Sequence, residues 1–139
     1  MTAITRLLDT STCLDIIRDR PVSLFEPFAR LLPSLAVSAV TVEELRFGAN
    51  RSARPPHHHA VADRFLGRLH ILSFDADDAA EAARVRAELT ARGQRIGALD
   101  MLIGGHCRRH GLILVTSDRD FRRIANLVIE DWRSPTPDP

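Results

Sequence analysis

Short apolar runs alternate along the chain with longer stretches in which apolar residues recur every three or four positions. The run over residues 4–8 ends in Asp9-Thr10-Ser11, which predicts a buried strand with Asp9 at its carboxyl end and Ser11 capping the next helix. Leu14, Ile16 and Ile17 carry that helix over 11–18, and Arg20-Pro21 breaks it. Leu24, Phe25, Phe28, Leu31 and Leu32 repeat at helical spacing and predict a second helix, stopped by Pro33. Residues 35–40 read as a second strand, and Thr41 with Glu44 forms an S/T-x-x-E capping box that opens a helix through Leu45 and Phe47. Residues 51–59, with two prolines and three consecutive histidines, read as a loop before a helix over 60–68. A third strand is predicted over 70–74, then a long alanine-rich helix capped by Asp75 and stopped by Gly93, then a helix over 98–110 ended by Gly111. Residues 112–115 form a fourth strand before Thr116-Ser117-Asp118, followed by a short helix over 121–125 and a last strand over 127–129.

Strands alternating with helices predict an α/β fold of three layers, with a central, mostly parallel sheet flanked by helices on both faces. A single domain is expected over 1–133, with a proline-rich tail over 134–139 expected to fray.

Composition narrows the function more than the fold. The 139 residues are 45% hydrophobic and 27% charged, as in an ordinary folded domain. No apolar run approaches bilayer length, and the first residues lack the pattern of a secretory signal, so a cytoplasmic location with no membrane partner is expected. Cys13 and Cys107 have neither metal-ligand nor disulfide-framework spacing and read as small buried hydrophobes. The net charge of +1 conceals that all nineteen cations are arginine. A receiver domain or an aspartyl phosphatase needs a lysine beside its phosphoaspartate, and this chain has none. No glycine-rich phosphate loop follows a strand either.

Four acids fall where packing alone does not call for them. Asp9 and Asp118 follow apolar strands, Glu44 belongs to the helix after the second strand, and Asp100 opens the helix after Gly97 between Leu99 and Met101. All four map to the carboxyl edge of the sheet, where α/β folds bind ligands. Singly, each also reads as a helix cap or a helix-dipole partner. Together, four like charges repel unless a hard divalent cation, Mg2+ or Mn2+, lies among them.

Other polar residues read more plainly. The run His57-His58-His59 cannot converge on one ion and reads as solvated. His106 and His110 stand four apart and could chelate zinc, but no acid or cysteine at suitable spacing completes a site, so they read as a packed and a helix-end residue. Arg108 and Arg109 read as solvent-facing. Arg51, Arg54, Arg119, Arg122 and Arg123 are candidates for RNA phosphates, the last three at the rim beside Asp118.

Four stretches, LLDTS at 7–11, SAVTVEELRFGA at 38–49, IGALDMLIGGHC at 96–107 and LVTSDRDF at 114–121, resemble in order and spacing the VapC-type toxins of the PIN-domain family. The resemblance implies a metal-dependent endoribonuclease that cuts RNA by in-line attack of water and leaves a 5′-phosphate. It implies metal ligation by Asp9, Asp100 and Asp118, with Asp120 as the alternative fourth acid, and Glu44 as a general base or a ligand to a second ion. Ser11 and Thr116 match hydroxyl positions that orient the acids or a water. It further implies a small cognate antitoxin lying across the acidic groove, and a homodimer to which the second predicted helix could contribute. A PIN-like module that binds a protein or RNA without catalysis is the alternative reading.

Overall fold

Leu7 and Leu8 are adjacent in a strand, so their side chains leave opposite faces of the sheet and each needs its own core. The computed structural model describes residues 2–134 and meets that requirement with three layers. Its strands are β1 (Arg6–Leu8), β2 (Leu35–Ser38), β3 (His70–Leu72), β4 (Ile113–Val115) and β5 (Ile129–Glu130). They form one sheet in the order β3-β2-β1-β4-β5, and all four pairings are parallel. Leu7 is in register with Ala36 and Leu114, and Leu8 with Val115.

The helices are α1 (Thr10–Ile17), α2 (Phe25–Leu31), α3 (Ala39–Arg51), α4 (Pro55–Leu66), α5 (Ala76–Ala91) and α6 (Ala98–Arg109). On one face of the sheet Leu8, Leu35, Val37 and Val115 pack with Cys13, Ile16, Phe28, Leu45, Phe65 and Trp132. On the other, Leu7, Ala36 and Leu114 pack with Val85 and Leu89 of α5, Ile103 and Cys107 of α6, and Phe121. Strand alternation thus sorts neighbouring residues into separate layers. Both cysteines are free and buried, and burial pushes the Cys107 thiol up to about 12, which keeps it unreactive.

Several expected boundaries move, each for a local reason. Asp9, not Ser11, caps α1: its Oδ1 accepts the Thr12 amide at 2.7 Å. The second strand stops at Ser38, whose hydroxyl accepts the Val40 amide at 3.0 Å and caps α3, so Thr41 forms no capping box and Glu44 lies in the second turn. The expected loop over 51–59 is largely helix. Proline is tolerated in a first turn, and Pro55 and Pro56 start α4, which contains all three histidines. The second predicted helix begins as a 3-10 turn, Val22–Leu24, and the helix expected over 121–125 is a 3-10 turn, Arg119–Arg123. Gly93 and Gly111 end α5 and α6 at φ of 66° and 64°, as helix stops in the left-handed region should. Of the proline-rich tail, residues 135–139 lie outside the described residues.

Arg108 is not solvated as expected, whereas Arg109 is exposed as expected but is tied into an ion pair. Arg108, 11% exposed at its side chain, bridges from α6 to Glu81 at 3.0 Å and Glu88 at 2.8 Å on α5. Arg109 bonds Asp78 at 3.0 Å. The two helices also meet closely through Gly105, where a Cβ would stand 2.5 Å from the Ala82 Cα. At the amino end of β1, Arg6 grips Glu130 with two bonds, 2.9 and 3.1 Å, and the Trp132 indole donates to the same carboxylate at 2.7 Å.

Candidate active site

Parallel strands deliver their following residues to one edge, and there the four acids assemble. β1 runs directly into Asp9, whose amide extends the ladder to the Val115 carbonyl at 3.1 Å. β4 runs into Thr116, and the fully buried Thr116 hydroxyl donates to Asp9 Oδ2 while accepting the Asp118 amide at 3.0 Å. One hydroxyl therefore ties the ends of the two central strands. From α3, Glu44 reaches the same edge, where the Thr10 hydroxyl donates to its Oε1 at 2.6 Å. Asp100, half-buried in the first turn of α6, completes the set.

The electrostatics record the convergence. Burial raises the Asp9 carboxyl above its usual range, against hydrogen bonds from Thr116 and Thr12, and the Asp118 charge adds to the rise. Asp100 is pushed up to about 6, first by burial and then by the charges of Asp118, Glu44, Asp9 and Asp120. Asp118 acts on Asp100 more strongly than Asp120, which pairs with Arg123 at 3.2 Å and gives its amide to Asp118 Oδ1. Among the described residues, no arginine lies within ion-pair distance of Asp9, Glu44, Asp100 or Asp118. An all-oxygen donor set with mutual repulsion and no internal counter-charge fits a hard divalent cation.

The cluster is open. Three ligand-type side chains whose donor atoms all close to within 4.8 Å are found elsewhere among the described residues, at Asp78, His106 and His110.

The remaining predicted residues divide. Ser11 is exposed, and Thr10, which sequence reasoning passed over, is the hydroxyl that reaches an acid from α1. Its signal was only its position one residue after Asp9. Arg119, Arg122 and Arg123 are all exposed beside Asp118, and Arg123 is engaged with the Arg95 carbonyl at 2.9 Å and with Asp120. Of the second predicted helix, Phe28 is in the core, stacked on Phe65 at 5.9 Å, and Phe25 is at the surface.

A pH test follows from Asp100. A carboxyl that titrates near 6 when folded and near 3.8 when unfolded binds more protons in the folded state between those values. Without a divalent ion, its contribution to stability is therefore lost as pH rises from about 4 to about 6. In EDTA near pH 7.5, Asp100→Asn is expected to stabilise the protein by about 1 kcal/mol, a figure discounted for the half-exposed position. Near pH 4 that gain is expected to vanish, and thermal melts at the two pH values check it.

The chain matches the PIN domain family over residues 6–127. It is 39% identical over 127 residues to the tRNA(fMet)-specific endonuclease VapC of Shigella flexneri, covering 91% of this chain and 96% of that protein. It is 38% identical, with the same coverage, to ribonuclease VapC2 of Haemophilus influenzae. Among solved structures it superposes on DNA-bound VapBC from Salmonella typhimurium with a TM-score of 0.89 at 36% identity, covering 93% of this chain and 98% of that one. For VapBC2 of Rickettsia felis bound to a promoter DNA fragment, the TM-score is 0.86 at 31% identity, covering 93% and 99%. With a family match across most of its length and relatives this similar, the chain belongs to the PIN-domain family, among the VapC-type toxins.

Proposed function

We propose that this chain is a divalent-metal-dependent endoribonuclease, the toxin half of a toxin–antitoxin pair, and that its substrate is a transfer RNA. The observation that carries the reading is the convergence of Asp9, Glu44, Asp100 and Asp118 on one sheet edge without a counter-charge of their own. Asp9, Asp100 and Asp118 would hold Mg2+ or Mn2+. When bound, such an ion lowers the pKa of a coordinated water and polarises a phosphoryl oxygen.

The chain's own residues supply the rest. Thr116 holds Asp9 and Asp118 in mutual register. Thr10 engages Glu44 Oε1 and leaves Oε2 to accept a proton from the attacking water. Arg119 and Arg122 stand free to meet phosphates of the RNA on either side of the cut. The transfer-RNA assignment rests on the Shigella and Salmonella relatives, both tRNA(fMet)-specific endonucleases, at 39% and 37% identity. A cognate antitoxin and DNA-bound assembly follow from the likeness to the VapBC complexes. A homodimer would use exposed Phe25 and Val22 beside α2. Among the described residues, no helix is long and apolar enough to cross a membrane, and a cytoplasmic site of action is part of the proposal.

The test is cleavage of purified initiator tRNA, elongator tRNAs and an unstructured RNA, each with Mg2+ or Mn2+ and with EDTA. Metal-dependent cutting of the initiator tRNA that leaves a 5′-phosphate is the expected result. Equal cutting of all three would overturn the substrate assignment. No cutting and no Mn2+ uptake by calorimetry would favour a non-catalytic binding module.

A further inference from the structure

We propose that Asp78, His106 and His110 form a second metal site, separate from the acid cluster, that takes a transition-metal ion of the Zn2+ class. Sequence spacing offered the two histidines but no third ligand, because the acid comes from α5, 28 residues before His106. In the fold it completes the group: the donor atoms of all three residues lie within 4.8 Å of one another. Asp78 Oδ1 is 3.0 Å from His110 Nε2, and Oδ2 is 3.5 Å from His106 Nε2. Donors on a tetrahedral zinc, each about 2.0–2.1 Å from the ion, stand about 3.4 Å apart.

His106 supplies the pointer to a ligand. Its side chain is fully buried, and Nε2 has no hydrogen-bond partner among the described residues. Nδ1 meets the Ser38 hydroxyl at 2.8 Å, and the edge of Phe74 walls the ring, with centroids 5.2 Å apart. When Nδ1–H donates to Ser38, Nε2 aims a lone pair at a carboxylate, an arrangement that a cation between them relieves. An outer oxygen that fixes the tautomer of a ligating histidine is the usual support of a metal site. Burial also lowers the His106 pKa, which favours the neutral ring that binds metal. His110 is 38% exposed at its side chain and leaves the site open to solvent.

Asp78 has other partners. Its Oδ2 accepts the Asp75 amide at 2.8 Å, and Arg109 donates to Oδ1 at 3.0 Å. Arg109 is the competing cation, and it has two alternative acids beside it, Asp77 at 3.4 Å and Asp75 at 3.8 Å. Two imidazoles with one carboxylate suit Zn2+, while the all-oxygen cluster suits Mg2+ or Mn2+, so the two sites sort ions by softness. An ion here would pin α5 to α6 and, through Ser38, brace the start of α3.

The experiment is titration of the full chain with Zn2+ by calorimetry, and with Co2+ by visible absorption, which is intense for tetrahedral coordination. Four variants accompany it: His110→Ala, Arg109→Ala, Asp9→Asn, and a triple replacement of His57, His58 and His59 by Ala. One equivalent is expected to bind in the unmodified chain, in Asp9→Asn and in the triple variant. His110→Ala, at an exposed position, is expected to weaken binding at least about a hundredfold with an unchanged circular dichroism spectrum. Arg109→Ala is expected to tighten it roughly tenfold by removing the competing charge. Undiminished binding in His110→Ala overturns the proposal, as does loss of binding in Asp9→Asn or in the triple variant. None of these readouts depends on RNA cleavage, so the nuclease reading stands or falls separately.

Discussion

Asp9→Asn is expected to remove metal-dependent RNA cleavage by at least about a hundredfold, since even the partners behind a metal ligand are commonly worth 10–100-fold. The fold should survive. Asp9 is 2% exposed, and its structural work is to accept the Thr12 amide with Oδ1 and to meet the Thr116 hydroxyl with Oδ2. Asparagine keeps the first contact, and its amide can donate to Thr116, whose hydroxyl turns to accept. What is lost is the charge. Burial already raises the Asp9 carboxyl, so in EDTA the neutral variant should be at least as stable as the parent. A cleavage assay paired with calorimetric melts in EDTA separates the roles: silent and stable marks a ligand, and silent and unfolded marks only a cap. Cleavage at full rate would remove Asp9 from the site.

Gly105→Ala should do the opposite, damaging the fold before the chemistry. A Cβ at Gly105 would meet the backbone of Ala82 at 2.5 Å from Cα and 2.7 Å from N, so no side-chain rotation relieves the overlap. Either α5 and α6 separate, loosening Arg108 from Glu81 and Glu88, or one helix shifts along the other. A cost of about 3 kcal/mol or more is expected, a loss on the order of 10 °C in melting temperature. Gly104→Ala is the control. Its Cβ would meet only the tip of Ile124, a side chain that can turn aside, and the loss there should be less than half as large.

Most of the architecture was legible in the chain because strand periodicity and helix stops are local signals. The five strands, the parallel sheet and the glycine stops at 93 and 111 all follow from neighbouring residues. Cap identities were harder. Asp9 and Ser38 took over from Ser11 and Thr41, because a side chain on the last strand residue, or the one after it, reaches the first free amides before a residue inside the helix can. Pro55-Pro56 misled because a proline pair marks a loop and a helix start equally well.

For the site, the edge on which the four acids gather followed from strand order. Which hydroxyl touches which acid did not, since Thr10 and Glu44 are 34 residues apart. The same limit hid the ion pairs of Arg108 and Arg109. Their partners lie on α5, and no spacing within α6 announces them. Gly105 was silent too, because a glycine inside a helix shows its use only once the neighbouring helix is in place.

The alternation at Leu7 and Leu8 carries a consequence for how this chain can vary. One residue packs into each layer, and Asp9 follows directly at the open end of the strand. Exchanging one aliphatic residue for another there costs only repacking. Inserting or deleting a single residue between Arg6 and Asp9 would invert both faces at once and turn the carboxylate away from Thr116. In this segment the count of residues is the constrained quantity, and their identity is the adjustable one.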